Sequence, residues 1–391
     1  MSWGVCRTLG DRFEDMRDCL VGMFPYHRRP GGTYQGLVKA LARHSQALLD
    51  VVGQALRGSL RTVAGALWKR EGWAAFAVDG SRVECPRTKA NEAALGCGGR
   101  KKTGPQFWLT TLWHMGLGLP WAWKIGPSTD AERTHLRAML CLLPAWALLV
   151  ADAGFVGYEL LREILAGGRS FLIRVGNNVS LLRELGYAQV QNGQTVYLWP
   201  QKCQKKAVPP LALRLIVLVR KGKPIYLLTN ASEESLREEQ ASVLYEMRWG
   251  IEVFYRSMKQ TLSHRKMLSA APEQARMELE WTMVGLQVLG LLSVEQILAR
   301  GKDPLSWSVA ASVRAVRRAL RDRPTRRKGR AGLLAALGEA VGDGYVRRAA
   351  KTARAWPHKK NDPPAGPPRI RKASPTEVQR AERIRAANQA A

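Results

Sequence analysis

The chain has 391 residues, of which 46% are hydrophobic and 24% charged, as expected of a globular protein with a large core and appended segments. Its 61 Lys and Arg against 32 Asp and Glu give a formal net charge of +29, which is self-repulsive unless a polyanion neutralises it. The composition therefore favours a nucleic acid as the partner.

The sequence shows neither a targeting signal nor a cysteine spacing that would indicate a metal site or disulfides. The six cysteines are dispersed, without CxxC pairs or paired histidine spacing, which argues against a zinc module and a disulfide framework. The first residues lack the basic-then-apolar order of a signal peptide, and no uncharged apolar run of about 18 residues predicts a membrane span. We expect a cytoplasmic protein that has no membrane partner.

The N-terminal part of the chain is predicted to be helical. Residues 34–70 place apolar side chains at spacings of three and four, with basic side chains between them, and HRRPGG just before forms a turn. We therefore predict a helical N-terminal unit over 1–72, with a role in DNA binding.

At residue 73 the pattern changes to strands and helices. WAAFAVDGS, FWLTTLWHM and LPWAWKIG predict three strands, and residues 132–143 predict a helix. WALLVADAGF then predicts a buried strand, YELLREILAGG a helix that ends at glycine, and SFLIRVG another strand. This order predicts an α/β fold with a mixed sheet, whose first part covers 73–175.

The following region is predicted to be β-rich and then helical. TVYLWP, LALRLIVLV and PIYLLTN are strand-like runs separated by glycine, proline and basic turns, which predicts a β-rich insertion over 176–231. A helix is predicted to begin near Ser232, where SEES can cap it, and to run through Lys259. A second, apolar helix is predicted from Pro272 to about Leu298, so that residues 232–300 form a helical end of the core.

The last part of the chain, 301–391, is predicted to be a basic helical segment with a proline-rich tail. Residues 300–391 contain 23 Lys and Arg against 7 Asp and Glu, a net charge of +16. The stretch WPHKKNDPPAGPPRIRKASP is predicted to be extended or disordered.

Two aspartates follow buried strands. Asp79 closes AAFAV and precedes Gly80, and Asp152 closes WALLVA and precedes Ala153 and Gly154. Either aspartate alone is typical of a strand end or a turn. Two of them on neighbouring strands are what a pair of divalent cations would need, because hard carboxylate oxygens bind such ions.

The segment LYEMRWGIEVFYRSMKQTL adds a third carboxylate. On a continuous helix Tyr245, Arg248, Glu252 and Lys259 project within an arc of about 60°, and Arg256 lies close to that arc. The opposite arc is apolar and is predicted to be buried; it contains Val243, Met247, Ile251, Phe254 and Met258. A solvated salt bridge explains Arg248 and Glu252, which are four residues apart, but does not predict Tyr245 and Lys259 on the same stripe.

The spacing Tyr-x2-Arg-x3-Glu-x6-Lys resembles the signature of a large group of bacterial insertion-sequence transposases, DDE enzymes with an RNase H-like core. The segments around Asp79 and Asp152 resemble the two aspartate motifs of that group, and such transposases also carry a β insertion between the second Asp and the Glu. The resemblance covers about 75–300. It implies an RNase H-like mixed-sheet catalytic core with a β-rich insertion, a helical N-terminal unit and a basic, partly disordered C-terminal tail.

The resemblance also implies an activity and partners. Asp79, Asp152 and Glu252 would bind two Mg²⁺ ions, with Mn²⁺ as a substitute, for metal-dependent cleavage at element ends and strand transfer into target DNA. Arg248 and Lys259 would contact phosphates of the end DNA, and Tyr245 would contact a phosphate through its hydroxyl. Arg256 is not part of the signature, but its projection close to the same arc makes it a candidate for a secondary DNA contact. The expected partner is double-stranded DNA, bound by a homodimer associated with the nucleoid.

Other features are open to two interpretations. The loop 96–104 is glycine-rich and basic, and is either a solvated hairpin or a DNA contact; it does not fit a P-loop. Trp199 and Tyr226 are core or surface aromatics, or could stack on a flipped base. His114, His135 and His264 form no spacing set and are interpreted as structural.

Two further function classes remain open at this point. An RNase H-like nuclease or resolvase would cleave without joining, and the carboxylate trio alone does not distinguish it from a transposase. A non-catalytic DNA-binding protein, an inactive or domesticated copy, would bind without cutting, although the presence of all three carboxylates argues against it.

Overall fold

The computed structural model describes residues 8–23, 32–98, 104–191, 194–220, 222–322, 326–342 and 366–390. Within these ranges the helices are α1 Leu9–Met23, α2 Tyr34–Ala64, α3 Lys89–Leu95, α4 Glu132–Met139, α5 Tyr158–Ala166, α6 Gln201–Lys205, α7 Glu238–Met247, α8 Trp249–Gln260, α9 Pro272–Leu298, α10 Val309–Asp322, α11 Arg326–Gly338 and α12 Pro375–Ala390. The strands are β1 Ala74–Glu84, β2 Gln106–His114, β3 Leu119–Pro127, β4 Ala147–Ala151, β5 Ser170–Val175, β6 Ser180–Arg183, β7 Thr195–Leu198, β8 Leu211–Arg220, β9 Lys223–Thr229 and β10 Arg369–Lys372.

The chain divides into two compact units. Unit 1 comprises Met1–Leu143 and Arg248–Gly342, and unit 2 comprises Pro144–Met247 and Asp343–Ala391. Both combine helices with strands, so the mixed α/β fold predicted from the sequence is confirmed.

Unit 1 contains three antiparallel strands and the long helices. β2 pairs with β1 on one side and β3 on the other, and α2 and α11 both pack on α9. The predicted bounds of α9 are confirmed. By length and composition α9 could span a membrane, but its most apolar window is 61% buried inside the protein, which identifies it as a core helix.

The core of unit 1 includes an aromatic cluster that explains one of the histidines. The His114 ring stacks on Trp68 with a centroid distance of 4.7 Å and meets Phe76 edge to face at 5.3 Å. His114 Nδ1 accepts a hydrogen bond from the Leu117 amide, so Nε2 carries the proton and donates to the Trp68 carbonyl. The predicted structural role of His114 is confirmed.

The other two histidines are also buried and hydrogen-bonded. His135 bonds Thr110 through Nδ1 and Asp130 through Nε2. His264 lies 3.4 Å from the Arg12 guanidinium. Their predicted structural roles are therefore confirmed as well.

Unit 2 contains seven described strands in the order β10-β6-β7-β8-β9-β5-β4. The β6-to-β9 run and the β9–β5 pair are antiparallel, whereas β10–β6 and β5–β4 are parallel. The three strands predicted for the β-rich insertion correspond to β7, β8 and β9. Arg214 of β8 is fully buried; its Nε donates to Gln194 and its Nη1 to the Leu236 carbonyl, which offsets part of the cost of burying a cation.

The C-terminal residues 366–390 are folded: β10 lies within the stretch predicted to be extended or disordered, and α12 follows it. β10 pairs in parallel with β6, and α12 begins at Pro375 after a capping box. The Ser374 amide donates to the Glu377 carboxylate, and the Glu377 amide donates to the Ser374 hydroxyl. Residues 356–365 of the predicted extended stretch lie outside the described residues.

Two predicted element boundaries are wrong. β1 does not end at Asp79 but continues to Glu84, because it pairs with β2 along that whole length. The helix predicted from Ser232 to Lys259 begins instead at Glu238 and is interrupted at Arg248, between α7 and α8. Residues 232–235 form turns rather than a helical first turn.

Candidate active site

Asp79 lies in the middle of β1, opposite Thr111 of β2. The preceding residues Ala74–Val78 are buried, whereas Asp79 is half-buried at the end of this apolar run. Its Oδ1 accepts a hydrogen bond of 2.9 Å from the Gly80 amide. Because side chains alternate along a strand, Asp79 and Ser81 share one face of the sheet and Gly80 is on the other.

The face at Gly80 is tightly occupied. A Cβ atom at this position would lie 2.3 Å from Glu132 Oε1 and 2.8 Å from Trp108 Nε1. Trp108 in turn lies under the Arg82 guanidinium, 4.4 Å from its ring centroid. Glycine at position 80 is therefore required by the close approach of α4 and β2 side chains.

Helix α8 brings the third predicted carboxylate into unit 1. Its apolar arc is buried as predicted at Ile251, Phe254 and Met258. The prediction is wrong for Val243, which is 44% exposed on α7, and Met247 is only half-buried.

Two side chains of α8 bond β1 directly. The Tyr255 hydroxyl donates to the Asp79 carbonyl oxygen at 2.8 Å, and Lys259 Nζ donates to Ser81 Oγ at 2.7 Å. Glu252 lies within about 60° of both side chains around the helix axis. The helix face that carries Glu252 is therefore the face that α8 turns toward the Asp79 segment.

Glu252 forms the ion pair that its spacing predicts. Arg248 donates to Glu252 Oε1 at 3.1 Å, and the two side chains are 12% and 32% exposed. A carboxylate has two oxygens, so this bond still allows Glu252 to bind a cation.

Asp152 belongs to unit 2 and has a different local structure. It follows β4 and caps a single 3₁₀ turn, Ala153–Phe155, where its Oδ1 accepts from the Gly154 amide at 2.9 Å. Phe155 is fully buried and anchors this turn. Like Asp79, Asp152 is half-buried.

The predicted DNA-contacting residues differ in their accessibility. Arg256 is exposed. Burial lowers the pKa of Lys259, and the Asp79 carboxylate is close enough to oppose that shift. The Tyr245 hydroxyl is buried in this structure, so its contact with a phosphate stays a prediction.

The weaker candidates are also placed by the structure. Trp199 is buried, and its indole donates to the Val208 carbonyl at 2.8 Å, so it is a core residue and not a base-stacking platform in this conformation. Tyr226 is half-buried on β9. Most of the basic loop, 99–103, lies outside the described residues.

The three predicted carboxylates fit a divalent cation by their donor chemistry. All three are half-buried acids on or beside strand and helix elements, and carboxylate oxygen is the ligand that Mg²⁺ prefers. Within the part of the chain that the structure describes, no three His, Cys, Asp or Glu side chains are grouped closely enough to hold a metal ion.

A model of the transposase DDE domain matches residues 74–284, which is more than half of the chain. This chain belongs to the DDE transposase family. The matched range contains Asp79, Asp152 and Glu252, so the resemblance predicted from the signature spacing is confirmed.

Other comparisons give less. No curated protein sequence is significantly similar to the chain. Among solved structures, the piggyBac transposase synaptic complex with hairpin DNA is similar, with a TM-score of 0.36 and 14% identity over 72% of this chain and 60% of that chain. The chain thus spans less than two thirds of that protein, and the similarity is too low to support a functional argument.

Sequence reasoning missed Tyr255 as a residue of this site. Its position three residues after Glu252 places it at the border between the polar and apolar arcs of α8. A tyrosine at such a border can bury its ring and still direct its hydroxyl toward a polar partner, which is the signal that could have identified it.

Proposed function

We propose that this protein catalyses cut-and-paste DNA transposition, by metal-dependent cleavage at the ends of an element and strand transfer into target DNA. Asp79, Asp152 and Glu252 are the proposed catalytic carboxylates. Membership of the DDE transposase family supports DNA transposition in general. The contacts of the residues around Asp79 support the assignment of the catalytic carboxylates.

One observation carries this assignment: the helix that holds the signature glutamate is bonded to the strand that holds the first aspartate. Tyr255 bonds the Asp79 carbonyl and Lys259 bonds Ser81, so α8 is fastened to β1 at the aspartate motif itself. A solvated helix with a surface salt bridge would not need these two contacts.

Asp79, Asp152 and Glu252 would hold two Mg²⁺ ions, for which Mn²⁺ could substitute. When bound, such ions lower the pKa of a water or hydroxyl nucleophile and stabilise the leaving oxygen of a phosphodiester. The protein's own contribution is to orient the carboxylates: the Gly80 and Gly154 amides each bond one aspartate, and Arg248 bonds the glutamate.

Double-stranded DNA is the proposed partner, at both the element ends and the target. The net charge of +29 would be offset by phosphates, and the affinity should fall steeply as salt concentration rises. Arg256 is proposed as the accessible phosphate contact on α8, with Tyr245, Arg248 and Lys259 as the contacts implied by the signature. A homodimer on two DNA ends, located in the cytoplasm with the nucleoid, is part of the same proposal.

The first test is the Glu252→Gln variant, measured by strand cleavage of DNA that carries the element's own ends, with Mg²⁺ or Mn²⁺. We expect cleavage to fall on the order of 10³-fold, because the amide cannot replace a charged metal ligand, while end binding stays within about twofold. Glu239→Gln, an exposed glutamate on α7, is the matched control and should cleave like the wild type.

Each other result has a clear meaning. Unimpaired cutting by Glu252→Gln would remove this residue from the catalytic set. Cleavage without joining by the wild type would favour the nuclease or resolvase, and DNA binding without any cutting would favour the non-catalytic protein.

A further inference from the structure

Tyr255 lies one helical turn after Glu252 and is buried between α8 and the sheet. Its hydroxyl is 2.8 Å from the Asp79 carbonyl oxygen and 3.4 Å from the Leu109 carbonyl oxygen. A phenol donates one proton, so the shorter distance identifies Asp79 as the main acceptor.

Two other contacts hold α8 against the sheet, one on each side of this bond. At the start of the helix, a Cβ atom on Gly250 would lie 2.1 Å from Cη2 of the Trp113 ring, so glycine allows the helix to approach β2. At its end, Lys259 bonds Ser81. Glu252 lies between the Gly250 and Lys259 contacts, and of the three contacts made by α8 the Tyr255 bond is the one that reaches the backbone of Asp79.

These contacts join the helix that carries Glu252 to the sheet that carries Asp79. Asp79 and Glu252 are on different elements of unit 1, and sequence-local structure cannot set the distance between them. Two cations about 3.5–4 Å apart require their ligands at fixed positions, and a displacement of about 1 Å can cost on the order of 10²-fold in rate.

We propose that Tyr255 is a positioning residue, which sets the spacing of the Asp79 and Glu252 carboxylates by bonding the Asp79 carbonyl from the helix that carries Glu252. This inference rests on the proposed function. Tyr255 itself touches neither DNA nor the reacting atoms; it acts through the two acids.

Tyr255→Phe tests this role because it keeps the buried ring and removes only the hydroxyl. Mn²⁺ binding to DNA-free protein is measured from the electron paramagnetic resonance of the unbound ion, and single-turnover cleavage is measured over a range of Mn²⁺ concentrations. We expect the Mn²⁺ dissociation constant to rise about 10- to 100-fold, with cleavage at low Mn²⁺ falling in parallel and recovering partly at high Mn²⁺. End binding without metal should stay within about twofold of the wild type.

Tyr158→Phe is the matched control. The Tyr158 hydroxyl also donates to a backbone carbonyl, that of Pro209, but both residues belong to unit 2, which does not contain α8. Loss of this bond should change thermal stability and leave Mn²⁺ affinity unchanged, which separates positioning from a general loss of stability.

If Tyr255→Phe does not fold, Gly250→Ala provides the second variant. The added methyl must displace α8 from the rigid Trp113 ring, so Mn²⁺ affinity should fall here too. An unchanged Mn²⁺ affinity in either folded variant, with or without a lower melting temperature, would overturn the positioning role.

Different experimental results would contradict the positioning role of Tyr255 and the proposed transposase function. A wild type that cleaves, together with a Tyr255→Phe protein that cleaves with the same Mn²⁺ dependence, would contradict only the inference. A wild type that binds Mn²⁺ but never cuts DNA would contradict the proposed function, and the Mn²⁺ affinities would still decide the role of Tyr255. A wild type that does not bind Mn²⁺ would contradict both.

Discussion

The two units of this protein each contain one aspartate that follows an apolar strand, and they place it in different local structures. In unit 1, Asp79 is inside β1, which continues for five more residues to Glu84. In unit 2, Asp152 lies just past β4 and caps a 3₁₀ turn. The same sequence pattern, an apolar run followed by Asp and a small residue, therefore has two structural outcomes.

Strand pairing accounts for the difference. β1 is paired with β2 from Phe76 to Glu84, so its backbone groups beyond Asp79 remain satisfied in an extended conformation. β4 is paired with β5 only from Leu148 to Ala151, and the chain turns where that pairing ends. The local sequence thus identifies the acid, whereas the neighbouring strand decides whether the backbone continues past it.

The largest expected effect comes from removing the two aspartates. Asp79→Asn and Asp152→Asn should each reduce end cleavage on the order of 10³-fold or more, and the double variant should be no worse than either single one, because groups that act as a unit are not additive. The rates are measured under single-turnover conditions, with Asp50→Asn, an exposed aspartate on α2, as control. Multiplicative losses in the double variant would show that the two aspartates act independently.

A smaller effect, on stability, should distinguish the units by pH. Burial lowers the pKa of both His114 and His264 in unit 1 to about 4. The unfolded chain therefore binds more protons, and the stability of unit 1, fully present above about pH 6.5, should fall as pH falls toward 4, on the order of 3 kcal/mol for each histidine.

In unit 2 the group with a lowered pKa is a carboxylate, and its contribution to stability is lost at a lower pH than that of the two histidines. The hydrogen bond from Arg371 holds the pKa of Glu377 down to about 2, so this carboxylate stabilises unit 2 above about pH 4.5 and loses that contribution only as pH falls toward 2. Pulsed hydrogen exchange in urea, with peptides from β2 and β8 followed separately, should show unit 1 weakening first between pH 6.5 and 4. His114→Asn should reduce the pH dependence of the stability of unit 1, whereas His44→Asn, at an exposed position on α2, should not. Equal weakening of both units would contradict the attribution of this pH dependence to the two histidines.

The smallest effect concerns the packing beside the first aspartate. Gly80→Ala should destabilise unit 1 by about 1–3 kcal/mol, because the new methyl meets the rigid Trp108 ring as well as Glu132. Gly58→Ala on α2, where nothing lies within 4 Å of the new methyl, should instead stabilise by up to about 1 kcal/mol. Thermal unfolding measures both, and equal stability of the two variants would show that the sheet tolerates a side chain at position 80.

Several elements of the fold could be predicted because their signals are local. The bounds of α9 follow from Pro272 and a long apolar periodicity, and β2 and β3 follow from apolar runs that end at glycine and proline. The capping box Ser374-x-x-Glu377 is also a local signal, and it predicts the start of α12 within the basic tail.

Other elements could not be predicted in this way. β10 exists because Arg369–Lys372 pairs with Ser180–Arg183, a partner almost two hundred residues earlier in the chain. The interruption at Arg248 and the exposure of Val243 likewise could not be predicted from the helical periodicity of this segment.

For the candidate site, the amino-acid sequence by itself determined which acids to consider and that Glu252 pairs with Arg248, since both depend on residue type and helical spacing. Only the tertiary structure decided that Lys259 bonds Ser81 and that Tyr255 bonds the Asp79 carbonyl. Those bonds join residues more than 170 positions apart, and their formation depends on how a helix packs against a strand, which no local pattern of side chains encodes.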